Sequence, residues 1–267
     1  ESKAGGCQPS IWKRYDHDYP FEARIDSVMA WFQLPIKNRP RLVLLYFHEP
    51  DASGHRFGPK SRETENAVLK MDRLMGTILR KVKSLSIFDN LNLIIVSDHG
   101  MTEIDSISVI NLNDYTDLSG VSQEGTGPAS FLYGVETIHL HQVSADLKAV
   151  PHISVYLKDE IPERLHYKNN YRIKDLLLIA DEGWSILDIH NPKPERYIGG
   201  THGYDNELFS MHAIFIANGP AFKNGYSRDT FENIDIYPLI SHLLQLTPNQ
   251  KIDGDLDRIS DILLKEE

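Results

Sequence analysis

Apolar positions recur along this chain with helical and strand periods in alternation. Between Pro20 and Leu34, Phe21, Ile25, Val28, Met29 and Phe32 share one helical face, and Pro35 and Pro40 close the segment. The run Arg41–Phe47 (RLVLLYF) reads as a buried strand. It enters a polar stretch, His48 to His55, whose Pro and Gly mark a loop. Residues 61–85 carry Val68, Met71, Leu74, Met75, Ile78, Leu79 and Val82 at spacings of three and four, which predicts a long amphipathic helix. Asn92–Ser97 predicts a second buried strand, ending in Asp98-His99-Gly100. Strand, helix and strand in that order form a βαβ unit and imply a parallel sheet. Ligands of such sheets sit beyond the carboxyl ends of the strands, where both polar stretches fall.

The remainder is less regular. Short strands are expected at Phe131–Tyr133, Ile153–Tyr156, Leu176–Ala180 and Ala213–Ala217, and helices at Val143–Val150 and Asn233–Leu246. Pro162–Tyr167 predicts a turn into a return strand, and residues 194–206 are polar and Gly-rich. There are no repeats and no low-complexity linker. The expected fold class is α/β, a mostly parallel sheet flanked by helices, in one domain with a small inserted subregion over residues 101–190.

Composition narrows the function. Of 267 residues, 41% are hydrophobic and 25% charged, as in ordinary globular chains. No apolar run reaches the roughly 18–20 residues of a membrane-spanning helix. A formal charge of −10 gives no evident nucleic-acid-binding surface, because polyanions need a basic one. Small anionic substrates remain open if a bound cation reverses the local sign. The lone Cys7 excludes an internal disulfide and a cysteine-built zinc site, and it has no activating neighbours. No Asn-X-Ser/Thr sequon occurs. Glu1–Cys7 carries neither an apolar signal core nor an initiator Met, so the chain is read as starting inside a longer polypeptide.

Three polar stretches carry candidate chemistry among twelve histidines. In Glu49-Pro50-Asp51-Ala52-Ser53-Gly54-His55, Asp51 and His55 can reach one ion if the chain turns between them; the alternative is a turn with an exposed Asp and His. At Ser97-Asp98-His99-Gly100 the chain turns after an apolar strand, so Asp98 and His99 can swing toward one cluster; the alternative is an Asp98 cap beside a solvent-facing His99. His202 sits among Gly199, Gly200 and Gly203, which suits rigid presentation of a ligand, or else a flexible surface loop. Together the three stretches hold an Asp/His set able to clamp a phosphoryl group through two zinc ions. His139 and His141 alternate in an expected strand without a carboxylate, and His152, His190, His212 and His242 are read as structural.

The stretches YFHEPDASGHRFGP, IVSDHGM and GTHGYDNELFSMHAIFIANGPAFK resemble the metal-binding motifs of the nucleotide pyrophosphatase/phosphodiesterase family, within the alkaline phosphatase superfamily. PFEAR, IPERLHYKNN, ADEGW and ENIDIYPLISHLLQL are similar to its catalytic domain as well. The resemblance implies an alkaline phosphatase-like fold and zinc-dependent hydrolysis of phosphodiester or pyrophosphate bonds through a covalent Thr intermediate. Nucleotides are the leading substrates and nucleoside 5′-monophosphates the products. It implies two Zn²⁺, with Asp51, His55 and His202 on one and Asp98 and His99 on the other. Tyr46 sits where the family places an aromatic ring against the base, although core packing explains it equally well. His48 stands where the family has Asp or Glu and is not assigned as a ligand. Tyr204, Asp205 and Asn206 are read as shaping the loop. No residue of 1–40 matches the family's nucleophilic Thr or its remaining zinc-ligating Asp, so the chain is expected to be the C-terminal part of a catalytic domain. Ser53, Ser97, Thr102 and Thr201 do not sit at the nucleophile position. A lipid phosphodiesterase, a phosphomonoesterase of the superfamily and an inactive zinc-binding domain stay open. The family works outside the cytoplasm. Lone Cys7 and the absent sequons point to a periplasmic or cell-surface setting, closer to a bacterial periplasmic enzyme than to a disulfide-rich ectoenzyme.

Overall fold

Helix α1 (Phe21–Phe32) forms where the apolar spacing places it, with Pro20 just outside its first turn. A short helix, α2 (Asp51–Phe57), occupies the stretch expected to be a loop. Helix α3 (Arg62–Lys83) follows; Glu63 and Glu65 lie in its first turn and Arg80, Lys81 and Lys83 in its last, matching the macrodipole. The Ser61 hydroxyl accepts a hydrogen bond from the Thr64 amide at 3.1 Å and caps its start. Then come β1 (Leu93–Val96), β2 (Thr102–Ile104), β3 (Val109–Ile110), β4 (Ser122–Glu124) and β5 (Ala129–Tyr133). Helix α4 (Thr137–Leu147) precedes β6 (Ile153–Leu157), β7 (Leu176–Ala180), β8 (Ser185–Ile186), β9 (Gly199–Thr201), β10 (Phe215–Asn218) and α5 (Ile236–Leu243). This computed structural model describes residues 7–134 and 137–264.

The chain divides into two compact units. The first draws on residues 1–51, 66–95 and 216–267, the second on 52–65 and 96–215. The subregion expected over 101–190 lies inside the second unit.

In the first unit, Phe21, Ile25, Val28 and Met29 of α1 pack against Leu74, Ile78 and Val82 of α3. Residues 42–48, expected as a buried strand, have no ladder partner among the described residues. Val43, Leu45 and Phe47 turn onto the helical core, while Leu42, Leu44 and Tyr46 are exposed. The strand period is present, but only one face of the segment is covered. The buried Arg24 holds this segment in place. Its guanidinium donates to the carbonyls of Asp16, His17, Tyr19 and Tyr46 at 2.8–3.2 Å.

In the second unit, the largest sheet has the order β4-β5-β7-β6, antiparallel throughout. β7, with four of its five residues buried, is one of its two central strands. β2 pairs antiparallel with β9, and β3 parallel with β8. The mostly parallel sheet expected from the βαβ pattern is therefore not the arrangement of this sheet, whose strands lie within the less regular region the pattern did not cover. Leu132, Val143, Leu147, Leu176, Leu178 and Ile186 form its dry core. His139 and His141 lie on α4 rather than in a strand. The buried Leu140, Val143 and Leu147 recur at helical spacing there and outweigh the two-residue spacing of the histidines. Pro162–Tyr167 makes a 3-10 turn, Glu163–Leu165, closed by His166 in the left-handed region (φ 49°), and no return strand follows directly.

Truncating Leu178 tests this core. Leu178→Ala should lower stability by about 3 kcal/mol, within the range for fully buried leucines. Denaturant unfolding reads it; a loss under about 1 kcal/mol would contradict the packing described.

Candidate metal centre

Asp51 opens α2 and His55 stands one turn later on the same helix, so both side chains share a face. A helix forms here despite Ser53 and Gly54: Pro50 precedes its first residue, Asp51 faces its positive end, and Arg56 sits at its negative end. Gly54 lies against Met101: a Cβ there would stand 2.4 Å from the Met101 sulfur, and that side chain would have to shift. Gly199, at φ +93°, brings β9 against the same helix, and a Cβ on it would stand 2.2 Å from the His55 carbonyl oxygen.

That close approach sets the imidazole. His55 Nδ1 lies 2.8 Å from the Gly200 carbonyl oxygen. A carbonyl only accepts, so Nδ1 carries the proton and Nε2 keeps its lone pair. His202, just past β9, brings its Nε2 to 3.1 Å from His55 Nε2. Ligand atoms of Asp51, His55 and His202 lie within 4.8 Å of one another, the one such three-residue group among the described residues.

His99 Nδ1 donates to the Gly100 carbonyl at 2.8 Å. Its ring stacks on His202, with centroids 3.3 Å apart and planes 10° from parallel. Asp98 Oδ2 is 3.5 Å from His99 Nε2. The structure thus brings Asp51, His55 and His202 together and sets His99 beside them. Asp98 and His99 have no third ligand-type side chain of their own among the described residues.

Other predicted residues fall as follows. Tyr46 does not pack in the core: it is 59% exposed, with the Tyr15 ring centroid 6.0 Å away. His48 stacks on His17 at 3.9 Å with Phe21 at its edge, and burial pushes its pKa down, so it belongs to an aromatic cluster. Ser97 Oγ accepts from the Ile214 amide at 3.0 Å, a framework role. Thr102 and Thr201 are partners in the β2–β9 ladder.

The loop after His202 is pinned on two sides. Tyr204 is buried, its hydroxyl donates to the Trp184 carbonyl at 2.8 Å, and burial pushes its pKa up to about 12. Asp205 receives Arg164 Nη1 at 2.8 Å and Nη2 at 2.5 Å, and this partner holds its carboxyl below the ordinary 3.8. Sequence reasoning missed Arg164. Its partner is 41 positions away, and only the basic residue of IPERLHYKNN hinted at it.

The donor set of one carboxylate and two imidazoles, with His55 already oriented by a carbonyl, fits a zinc-type divalent cation. Fold and cluster together give a mixed α/β chain with an Asp/His group that could hold a metal ion. Residues 1–205 match the family model described as type I phosphodiesterase / nucleotide pyrophosphatase. Human bis(5′-adenosyl)-triphosphatase ENPP4 is 40% identical over 243 residues, covering 90% of this chain and 52% of that protein. The venom phosphodiesterase of Macrovipera lebetinus is 37% identical over 269 residues, covering 97% of this chain and 31% of that protein. The solved structure of murine ectonucleotide pyrophosphatase/phosphodiesterase 5 superposes with a TM-score of 0.85 at 36% identity, over 94% of this chain and 66% of that one. An inactive threonine-to-alanine variant of it, in complex with AMP, matches equally well. The chain belongs to the type I phosphodiesterase / nucleotide pyrophosphatase family. It spans about a third to a half of the length of these curated relatives.

The Arg164–Asp205 pair makes a pH-dependent contribution. Asp205 has a depressed folded pKa, so its stabilisation is present above the unfolded value and is lost as pH falls through the folded one. Asp205→Asn should cost about 1 kcal/mol near neutral pH, a figure already discounted for the pair's partial exposure. Unfolding at stepped pH should show this gap closing as pH drops below 3.8. A gap that stays constant into acid would contradict the pairing.

Proposed function

We propose that the protein carrying this chain hydrolyses phosphodiester or pyrophosphate bonds of nucleotides and releases nucleoside 5′-monophosphates. The observation that carries this reading is the convergence of Asp51, His55 and His202, within 4.8 Å, in a chain of this family. Asp51, His55 and His202 would hold one zinc, and Asp98 with His99 would hold the second together with a ligand from elsewhere. When bound, the metals supply the positive charge that a protein of net charge −10 otherwise lacks toward a phosphate.

The chain's own part is to fix these groups. The Gly200 carbonyl sets the tautomer of His55, and the Gly100 carbonyl that of His99. In the neutral imidazole this leaves Nε2 of each ring as the nitrogen that would ligate a metal. The nucleophile in this reading is a threonine, in keeping with the inactive threonine-to-alanine variant of the murine relative. No threonine of this chain is assigned that role; Thr102 and Thr201 lie in the β2–β9 ladder. The complete domain would have an alkaline phosphatase-like arrangement, with residues 42–48 and β1 among its parallel strands. Tyr46, exposed and five residues before Asp51, would stack on the base. Among the described residues no helix is long and apolar enough to cross a membrane. An extracytoplasmic setting is proposed from relatives named as ecto- and venom enzymes.

Assays of the full protein on p-nitrophenyl thymidine 5′-phosphate and p-nitrophenyl phosphate test this. The nucleotide diester should be the better substrate. His55→Ala and His202→Ala should each lose bound zinc and lower kcat/KM by about a hundredfold or more, beyond the 10–100-fold typical of outer-shell changes. Preference for the monoester would assign a phosphomonoesterase, and no turnover with zinc bound would assign an inactive domain.

Tyr46→Ala should raise KM for the nucleotide diester about tenfold with little change in kcat. Base stacking of about 1–3 kcal/mol is lost while the reacting groups stay in place. Steady-state kinetics read the split, and an unchanged KM would remove Tyr46 from the substrate site.

A further inference from the structure

The fold grips the His202 loop from a distance. His202 must hold one orientation, with Nε2 3.1 Å from His55 Nε2 and its ring flat against His99. The next residue, Gly203 at φ +104°, gives the backbone more freedom than other residues allow. Two residues further on, the guanidinium of Arg164 takes Asp205 in a two-pronged grip, Nη1 to Oδ1 and Nη2 to Oδ2. Nη1 also donates to Asn206 Oδ1 at 2.9 Å, and Nε stands 3.6 Å from Glu207 Oε1. Asp205 Oδ1 further accepts from the Glu207 amide at 3.0 Å and tightens the turn.

Arg164 is itself firmly mounted. It is the middle residue of the 3-10 turn Glu163–Leu165. Leu165 packs on the cluster of Ile161, Ile173 and the central-strand residue Leu177. His166, in the left-handed conformation, ends the turn immediately after it. The pair is about two-thirds withdrawn from solvent, with side chains 35% and 28% exposed. A planar fork in that setting fixes direction as well as charge, which a lysine ammonium cannot do.

We propose that Arg164 is a positioning residue of the metal centre: acting through Asp205, it holds His202 in the orientation that ligates the metal. This rests on the reading of Asp51, His55 and His202 as a zinc site. The charge of Arg164 is secondary and its fork geometry primary, so a conservative lysine should fail.

The test uses the full protein loaded with zinc or cobalt. Zinc dissociation constants come from chelator competition, and the visible absorption of the cobalt form reports ligand geometry. Arg164→Lys and Asp205→Asn should each weaken zinc binding by about tenfold, the lower end for outer-shell partners, and should shift the cobalt spectrum. The double variant should be no worse than either single one, because both break one link. Arg258→Lys is the control. Arg258 pairs with Glu232 and Asp235 in the first unit, so this change should lower the melting temperature while leaving zinc affinity and spectrum as in wild type. Wild-type zinc affinity and spectrum in Arg164→Lys would overturn the proposal. So would equal losses in the Arg258→Lys control, since general loosening would then explain them. His202→Ala separates the two readings. If it binds zinc like wild type, the metal site itself is misassigned; if it loses zinc while Arg164→Lys does not, only the role of Arg164 falls.

Discussion

The site depends on one steric constraint, the contact of bare backbone between helix α2 and strand β9. No side chain fits at Gly199, where a Cβ would stand 2.2 Å from the His55 carbonyl oxygen. The two elements therefore touch main chain to main chain. That contact puts the Gly200 carbonyl within hydrogen-bonding distance of His55 Nδ1, and His202 follows two residues later. The tautomer of His55, the facing Nε2 atoms and the position of Asp51 one turn back all follow from it. A similar device operates at Gly100, where a Cβ would lie 2.0 Å from the Ser210 carbonyl oxygen, so the turn carrying Asp98 and His99 is also fixed by backbone proximity.

Under the proposed function, a chain of net charge −10 has to receive a phosphate. The donor set gathers a carboxylate and two imidazoles rather than Lys or Arg. The basic residue nearest in sequence to His202 is Arg196, six positions before it, and Arg164 is occupied by Asp205 and Asn206. Under the same proposal, positive charge at the centre comes from a bound cation. The buried Tyr204 stays protonated at any physiological pH and serves as a neutral anchor of the same loop.

How much of this was legible in the sequence depended on how local the cause was. Helices α1 and α3 and strands β5, β6 and β7 carry their period in consecutive residues and were read with bounds close to those observed. Helix α2 was not, because Ser53-Gly54 is a turn signal locally, and Gly54 lies against Met101, a partner remote in sequence. The histidines of α4 misled for the opposite reason: two polar residues at strand spacing were weighed over three buried apolar ones at helical spacing. Asp51, His55, Asp98, His99 and His202 were legible by residue type at loop positions. The family resemblance also grouped Asp51, His55 and His202 apart from Asp98 and His99; what the sequence could not show was that Asp205 would be gripped by Arg164, since that pairing is a property of the closed fold alone.

Anomalous X-ray diffraction at the zinc absorption edge, on crystals of the full protein grown with zinc, tests the central claim most directly. The account predicts a strong peak bounded by Asp51, His55 and His202, with each ligand atom at about 2.0–2.2 Å from the metal. A map with no peak there, while zinc sits elsewhere on the molecule, would contradict it.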